Sequence, residues 1–198
     1  MLLAVDIGNT NVTLGVYDGE RLAAHWRVAT VHDRMADEYA VLLLQLLAHR
    51  GVTPADISGV AIASVVPPLA HTFRDVAQEY LHHDALVVDA DCRTGVRILV
   101  DNPDEVGADR VVNCAAAQHR YGGPACIVDF GTATTFDALS AEGDYLGGAI
   151  APGVGVAAEA LFARASRLYR VEIAPPPNVI GTNTAHSMQS GILFGYVG

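Results

Sequence analysis

The chain has 198 residues, 51% of them hydrophobic and 17% charged, which suits one large domain or two small lobes and excludes a disordered segment. Its net charge of −10 argues against nucleic acid or an anionic membrane surface as the main partner, while leaving anionic small ligands open. The amino terminus lacks a basic region, Asp6 arrives too early for a signal peptide, and stretches such as Val41–Ala48 are too short to span a membrane.

Taken in chain order, Leu2–Asp6, Val12–Tyr17 and Arg21–Ala29 predict a three-stranded antiparallel meander. Asp37–Arg50 predicts a helix: Tyr39, Leu42, Leu43, Leu46 and Leu47 share one face, and Gly51 stands where a C′ residue would. Val60–Ser64 reads as a short buried strand. Pro67 and Pro68 then open a helix to about Tyr80, and Leu86–Asp89 reads as another strand. His82-His83 reads as a solvated helix end. Three strands followed by strands alternating with helices make a mixed-sheet α/β domain.

A loop over Val100–Arg110 contains Asn102-Pro103, a helix spans about Ala108–Tyr121, and Gly122-Gly123-Pro124 breaks the chain. A strand–turn–strand unit then restarts, with a third strand near Tyr145–Ile150 and a helix from Gly153 and Gly155 to about Ala165. Pro175-Pro176-Pro177 predicts an extended connection, and Thr184–Tyr196 a last helix. The lobes are therefore expected at 1–122 and 123–198. The second has fewer strands than the first, and Gly195-Tyr196-Val197-Gly198 stands inside a continuing helical pattern. An incomplete second lobe of a longer protein is expected. Cys92, Cys114 and Cys126 form no C-x-x-C pair and read as reduced thiols, buried as small hydrophobes in a cytosolic protein.

Two segments repeat one device: Val5-Asp6-Ile7-Gly8-Asn9-Thr10-Asn11, and Val128-Asp129-Phe130-Gly131-Thr132-Ala133-Thr134-Thr135. Each follows an apolar run, ends it on Asp, and continues with Gly and small hydroxyl or amide residues. Each is followed by a β-rich stretch and a turn with glycine, at Gly19 and Gly143. Such a bend can grip phosphate through backbone N–H groups and hydroxyls while the Asp holds a cation or its waters. A lone copy would read as an ordinary turn; two matched copies argue for a nucleotide clamp. Thr132, Thr134 and Thr135, three hydroxyls in four residues of the second turn, exceed what a cap needs.

The paired meanders resemble the actin-like ATPase and sugar-kinase superfamily, an α/β, two-lobed, ribonuclease H-like fold. Further motifs follow in order: Asn102-Pro103-Asp104-Glu105-Val106-Gly107-Ala108-Asp109-Arg110, Gly147-Gly148-Ala149-Ile150-Ala151-Pro152-Gly153, Gly181-Thr182-Asn183-Thr184, and Met188-Gln189-Ser190-Gly191. Together they resemble type III pantothenate kinase. The resemblance implies transfer of the ATP γ-phosphoryl group to the hydroxyl of pantothenate, the first step of coenzyme A biosynthesis, by a cytoplasmic homodimer.

The resemblance also implies site residues. Asp6 resembles the aspartate that orients hydrated Mg²⁺. The run Asp6, Ile7, Gly8, Asn9, Thr10, Asn11, Val12 and Thr13, with Thr132, would contact ATP. Asp129 would ligate a monovalent cation, potassium or ammonium. Asp109 resembles the general base, although a residue at a helix start is also favoured by capping and the helix dipole. Gly107, Ala108, Arg110, Thr184 and Val100 would contact pantothenate, Arg110 through its carboxylate. Relatives often carry Tyr at the position of Val100, so one hydroxyl contact is absent. His186 reads as a helix-surface histidine rather than a proton carrier. Val154–Ala165 and the last helix, with Met188, Ile192, Leu193 and Phe194, offer a dimer face that core packing explains equally well. Two rivals stand beside this reading. One is a kinase of the superfamily with another small-molecule substrate; the other is a non-catalytic relative that binds nucleotide and regulates transcription.

Overall fold

The computed structural model describes residues 1–89 and 92–197; Ala90, Asp91 and Gly198, which fall inside the expected lobes, lie outside the described residues. The chain divides into two compact units. The first holds Met1–Ala125 together with Leu139–Leu146, and the second holds Cys126–Ala138 and Gly147–Gly198.

In the first unit β1 (Leu2–Ile7), β2 (Asn11–Asp18), β3 (Arg21–Ala29), β4 (Gly59–Ser64) and β5 (Ala85–Val87) form one sheet in the order β3-β2-β1-β4-β5. β1 pairs antiparallel with β2, Asp6 facing Thr13 and Ile7 facing Val12, and parallel with β4, Ile7 beside Ser64. The period-2 alternation buries Leu3, Val5 and Ile7 on one face, with Val12, Leu14 and Val16 beside them. A register shift at Val16/Tyr17 bends β2 just before its turn at Gly19.

Helices α1 (Ala36–His49) and α2 (Pro67–Tyr80) cover that face, and the rings of Tyr39 and Phe73 meet at 4.7 Å. α1 starts where Glu38 Oε2 accepts the Met35 N–H and stops at Gly51, whose φ of +70° a side chain would resist. Its buried stripe is Tyr39, Ala40, Leu43 and Leu47. Leu42 is only half-buried and lines a surface groove with Arg34 and Val41, because the stripe's centre falls one position to its side. After α2, His82 adopts a positive φ, and the half-buried His83 ring lies 2.7 Å from the Ile57 carbonyl. The second histidine is therefore tied down rather than solvated. α3 (Ala108–Tyr121) buries Ala108, Val111 and Cys114.

The chain then forms β6 (Ala125–Phe130), β7 (Ala133–Leu139) and β8 (Tyr145–Pro152), hydrogen-bonded in that order. In the second unit α4 (Val154–Arg164) and α5 (Thr184–Val197) close a small core of Ala158, Met188 and Ile192. Between them residues 165–183 run without helix or strand, the triple proline included. Met188 and Ile192 are thus core residues, whereas Phe194 is exposed. No disulfide joins the three cysteines, and of them only Cys114 is buried. Cys92 is half-buried with its thiol directed at the Val87 carbonyl, and Cys126 is exposed on β6, on the strand face it shares with exposed Val128 and Phe130. Among the described residues no helix is long and apolar enough to cross a membrane.

Candidate active site

Both Asp-Gly turns form where the sequence puts them. In the first, the Gly8 N–H donates to the Asn11 carbonyl at 2.9 Å, which closes the bend between β1 and β2. Asp6, Asn9, Thr10 and Asn11 are exposed, and Thr13 stands beside Asp6 across the strand pair. Ile7 and Val12 are 0% exposed, so their side chains belong to the core and only their backbone can reach a ligand. Thr30, just past β3, braces the bend twice: its N–H donates to the Thr10 carbonyl at 2.9 Å and its hydroxyl to the Gly8 carbonyl at 2.6 Å.

In the second turn the Gly131 N–H donates to the Ala133 carbonyl at 2.8 Å, and the Gly153 N–H donates to the Thr132 carbonyl at 2.9 Å. A Cβ on Gly153 would lie 2.2 Å from the Gly131 carbonyl oxygen, so only glycine fits. Gly153 is also the N-cap of α4, which brings a helix amino terminus up to the turn, a favourable end for anions. Asp129 is half-buried and Thr132 exposed. The other two threonines do not sit on the bend. Thr134 is buried in β7 with its hydroxyl 3.3 Å from that of Tyr196, and Thr135 donates to Asp137 at 3.2 Å. Strand alternation turns Thr134 inward, so only Thr132 of the three is presented at the bend.

The first unit holds a further candidate element, the start of α3. Gly107 is the N-cap, so Asp109 is a first-turn residue rather than the cap itself. The Arg110 N–H donates to Asp109 Oδ1 at 2.9 Å, and that oxygen folds back over Gly107. A Cβ there would come within 2.5 Å of it and 3.4 Å of Val65, so Gly107 admits the carboxylate's orientation. Gly107 and Ala108 line a cleft of about 450 Å³ with Ser64, Val65, Val88 and Asp89. The cleft opens beyond the carboxyl ends of β4 and β5, the end at which β1 also delivers Asp6. Ligands of α/β sheets sit at such ends. Half-buried Val100 follows a bridge between Ile98 and Tyr145.

In the second unit, exposed Thr184 opens α5 and lines a larger cavity of about 790 Å³, shared with Gly181, Leu161 and Tyr196. The Asn183 side chain accepts the His186 N–H at 2.9 Å and lies 3.1 Å from the His186 ring, a local helix-start arrangement. Each turn offers an aspartate among hydroxyl and backbone groups, an all-oxygen donor set of the kind hard cations prefer. Among the described residues no group of three or more His, Cys, Asp or Glu side chains converges as a metal cage. Sequence reasoning did not single out Thr30 and Tyr145. Gly153 stood within a quoted motif without a role, and the signal for it was its place at a strand–helix junction.

A family model described as type III pantothenate kinase matches residues 2–198. The chain is 56% identical over its whole length to the type III pantothenate kinase of Roseiflexus castenholzii, of which it covers 78%. It is 52% identical to that of Moorella thermoacetica, again over 78% of the relative. Among solved structures, one assigned to the Baf family of transcriptional activators, from Campylobacter jejuni, has a TM-score of 0.61 at 17% identity, covering 98% of this chain and 75% of that one. A 2-dehydro-3-deoxygalactonokinase protein from Sinorhizobium meliloti has a TM-score of 0.51 at 17% identity, covering 84% and 58%. These two likenesses show the fold alone.

Proposed function

The chain belongs to the type III pantothenate kinase family, and on that premise we propose how its residues divide the work of moving the ATP γ-phosphoryl group onto the hydroxyl of pantothenate. Phosphoryl transfer of this kind is mostly positioning and charge neutralisation. The observation that carries the assignment lies within the first unit. Asp6 and the helix start at Gly107 stand at the same end of one sheet, beside the cleft that Gly107 and Ala108 line.

The backbone and short polar side chains from Gly8 to Thr13, with Thr132, hold the phosphates of ATP. Mg²⁺ bound with ATP supplies charge neutralisation, Asp6 being the residue that would hold it through water, and Asp129 the one that would hold potassium or ammonium. Asp109 accepts the proton of the attacking hydroxyl; its fixed place over Gly107 suits a base that has to meet that hydroxyl at hydrogen-bond distance. Arg110 receives the pantothenate carboxylate through its planar fork, with Val100 and Thr184 as further acceptor contacts. The enzyme acts in the cytoplasm as a homodimer, and the exposed Val156, Leu161 and Phe194 of the second unit supply an apolar face for it.

The test is ATP-dependent phosphorylation of pantothenate with potassium or sodium as the sole monovalent cation, beside Asp109→Asn. Turnover with potassium, little with sodium, and a loss of about 100- to 10,000-fold in the variant are expected. Nucleotide binding without turnover in either salt would overturn the reading.

A further inference from the structure

The turn that joins β7 to β8, with its flanking residues Leu139–Leu146, belongs to the first unit. It is wound around Ser140. The Ser140 hydroxyl accepts the Asp144 N–H at 3.1 Å and the Glu142 N–H at 3.2 Å, and the Gly143 N–H donates to the Ser140 carbonyl at 3.1 Å. Gly143 has a φ of +88°, and a Cβ there would come within 2.4 Å of the Gln118 side chain on α3. A Cβ on Gly123, just past α3, would lie 1.8 Å from the Ser140 carbonyl oxygen. The turn is thus seated on α3 by close approaches that glycine permits. Its last residues meet a second segment. Buried Asp144 takes the Arg97 fork with both oxygens, at 2.7 and 2.6 Å. The Tyr145 N–H donates to the Arg97 carbonyl and the Tyr145 carbonyl accepts the Leu99 N–H, each at 2.8 Å. The Asp144 carboxylate holds the Arg97 guanidinium above the ordinary arginine range, first through its hydrogen bonds and then through its charge.

Arg97 opens a strap that ends where α3 begins. Val100 stands three residues on. Bonds from the Asn102 amide to Glu105 and from the Val106 N–H to the Pro103 carbonyl then wind the strap into a short turn. Asp104, Glu105, Val106, Gly107 and Ala108 line the cleft of the first unit. Ordering a segment outside α-helix and strand costs conformational entropy at every residue, so its course depends on what holds its ends. α3 holds one end of the strap, and the clasp on Asp144 and Tyr145 holds the other. A bidentate fork fixes angle as well as distance.

We propose that Arg97 and Asp144 are positioning residues for the acceptor: clasped together, they set the strap 97–107 so that Val100 and the cleft residues before Asp109 meet pantothenate. The proposal rests on the reading of Val100 and that cleft as the acceptor site.

The test measures KM and kcat for pantothenate and for ATP in the full chain, beside thermal melts. Arg97→Gln is expected to lower kcat/KM for pantothenate about 10- to 100-fold, chiefly through KM, and to leave KM for ATP unchanged. Because that variant leaves a buried carboxylate unpaired, it also lowers the melting temperature. The double variant Arg97→Met with Asp144→Leu removes the clasp without leaving a buried charge. It is expected to melt with the parent and to show the same rise in KM for pantothenate. Arg97→Lys, which keeps the charge and gives up the fork, should fall between the parent and Arg97→Gln. A double variant with the parent's KM for pantothenate, or one that raises both KM values alike, would reduce the pair to holding the fold. Should the double variant not fold, a parental KM in Arg97→Lys would overturn the proposal equally. Val100→Asp separates the two claims, because it sets a negative charge against an anionic acceptor and should raise KM for pantothenate. If it does not, the acceptor reading falls first and this proposal with it.

Discussion

The two Asp-Gly turns share a plan and differ in how they are braced. In each, the glycine N–H closes the bend, and the residue just past or at the end of the third strand donates its N–H to the carbonyl of the turn threonine at 2.9 Å, Thr30 to Thr10 and Gly153 to Thr132. Thr30 adds a hydroxyl on the Gly8 carbonyl, and its chain runs on toward α1. Gly153 has no side chain to give; it brings its own backbone against the bend and starts α4 there. The first turn is thus held by a side chain that other residues could approximate, the second by a close approach that only glycine permits. The strands behind them differ too. β1 is flanked by β2 and β4 and buries three side chains, whereas β6 pairs on one side and leaves Cys126, Val128 and Phe130 exposed. A shared turn chemistry can therefore stand on two unlike supports.

The largest effects should come from the two aspartates. Asp6→Asn is expected to lower kcat by about 100-fold or more in any monovalent salt, in line with the cost of losing charge stabilisation at a reacting centre. Asp129→Asn is expected instead to erase the preference for potassium over sodium. Identical salt profiles in the two variants would mean the turns are not specialised as proposed.

Next come the glycines. Gly153→Ala forces a methyl group onto the Gly131 carbonyl and should cost about 1–3 kcal/mol of stability with a raised KM for ATP. Gly8→Ala meets the Asn11 carbonyl at 3.3 Å and should cost less than about 1 kcal/mol. Thermal melts of the pair decide it, and equal losses would erase the distinction between the supports.

A smaller change is expected from Thr30→Val, which removes the hydroxyl on the Gly8 carbonyl and should cost about 1 kcal/mol. Its signature is a modest rise in KM for ATP with potassium selectivity intact. Loss of that selectivity would show that the first brace governs the second turn.

Smallest is a change on the far side of the first unit. The Tyr80 hydroxyl donates to Asp37, linking α2 to α1, and that hydrogen bond raises the phenol above its ordinary value of 10.0. A raised pKa means the bond stabilises the fold fully below the unfolded value and is lost as pH rises through the folded one. Tyr80→Phe should therefore flatten the alkaline limb of the stability curve, measured by denaturant titration above pH 9, and leave turnover near neutrality untouched. A turnover change there would tie the helical face to the site.

Much of this was legible along the chain. The alternation of Leu3, Val5 and Ile7 specifies a half-buried strand, and the glycine after Asp6 specifies where it bends. Gly51 and Gly122 mark helix ends because their positive φ values are costly for any other residue. These are local signals, carried by neighbours within a few residues. The same locality explains the errors. Counting Thr134 and Thr135 as turn hydroxyls ignored that β7 begins at Ala133, after which alternation sends one of them inward. Treating Cys126 as a buried small hydrophobe assumed that both faces of β6 are covered, whereas the face carrying Cys126, Val128 and Phe130 is exposed.

What the sequence determined by itself was the family, the order of elements and the identity of the polar residues, since motif spacing and hydrophobic period are properties of the chain read in one dimension. Only the tertiary structure decided what supports them. Thr30 reaches Gly8 across 22 positions and Arg97 reaches Asp144 across 47. No periodicity couples residues that far apart. Their pairing follows from the sheet register and from the return of residues 139–146 to the first unit, and both are fixed only once the strands have met.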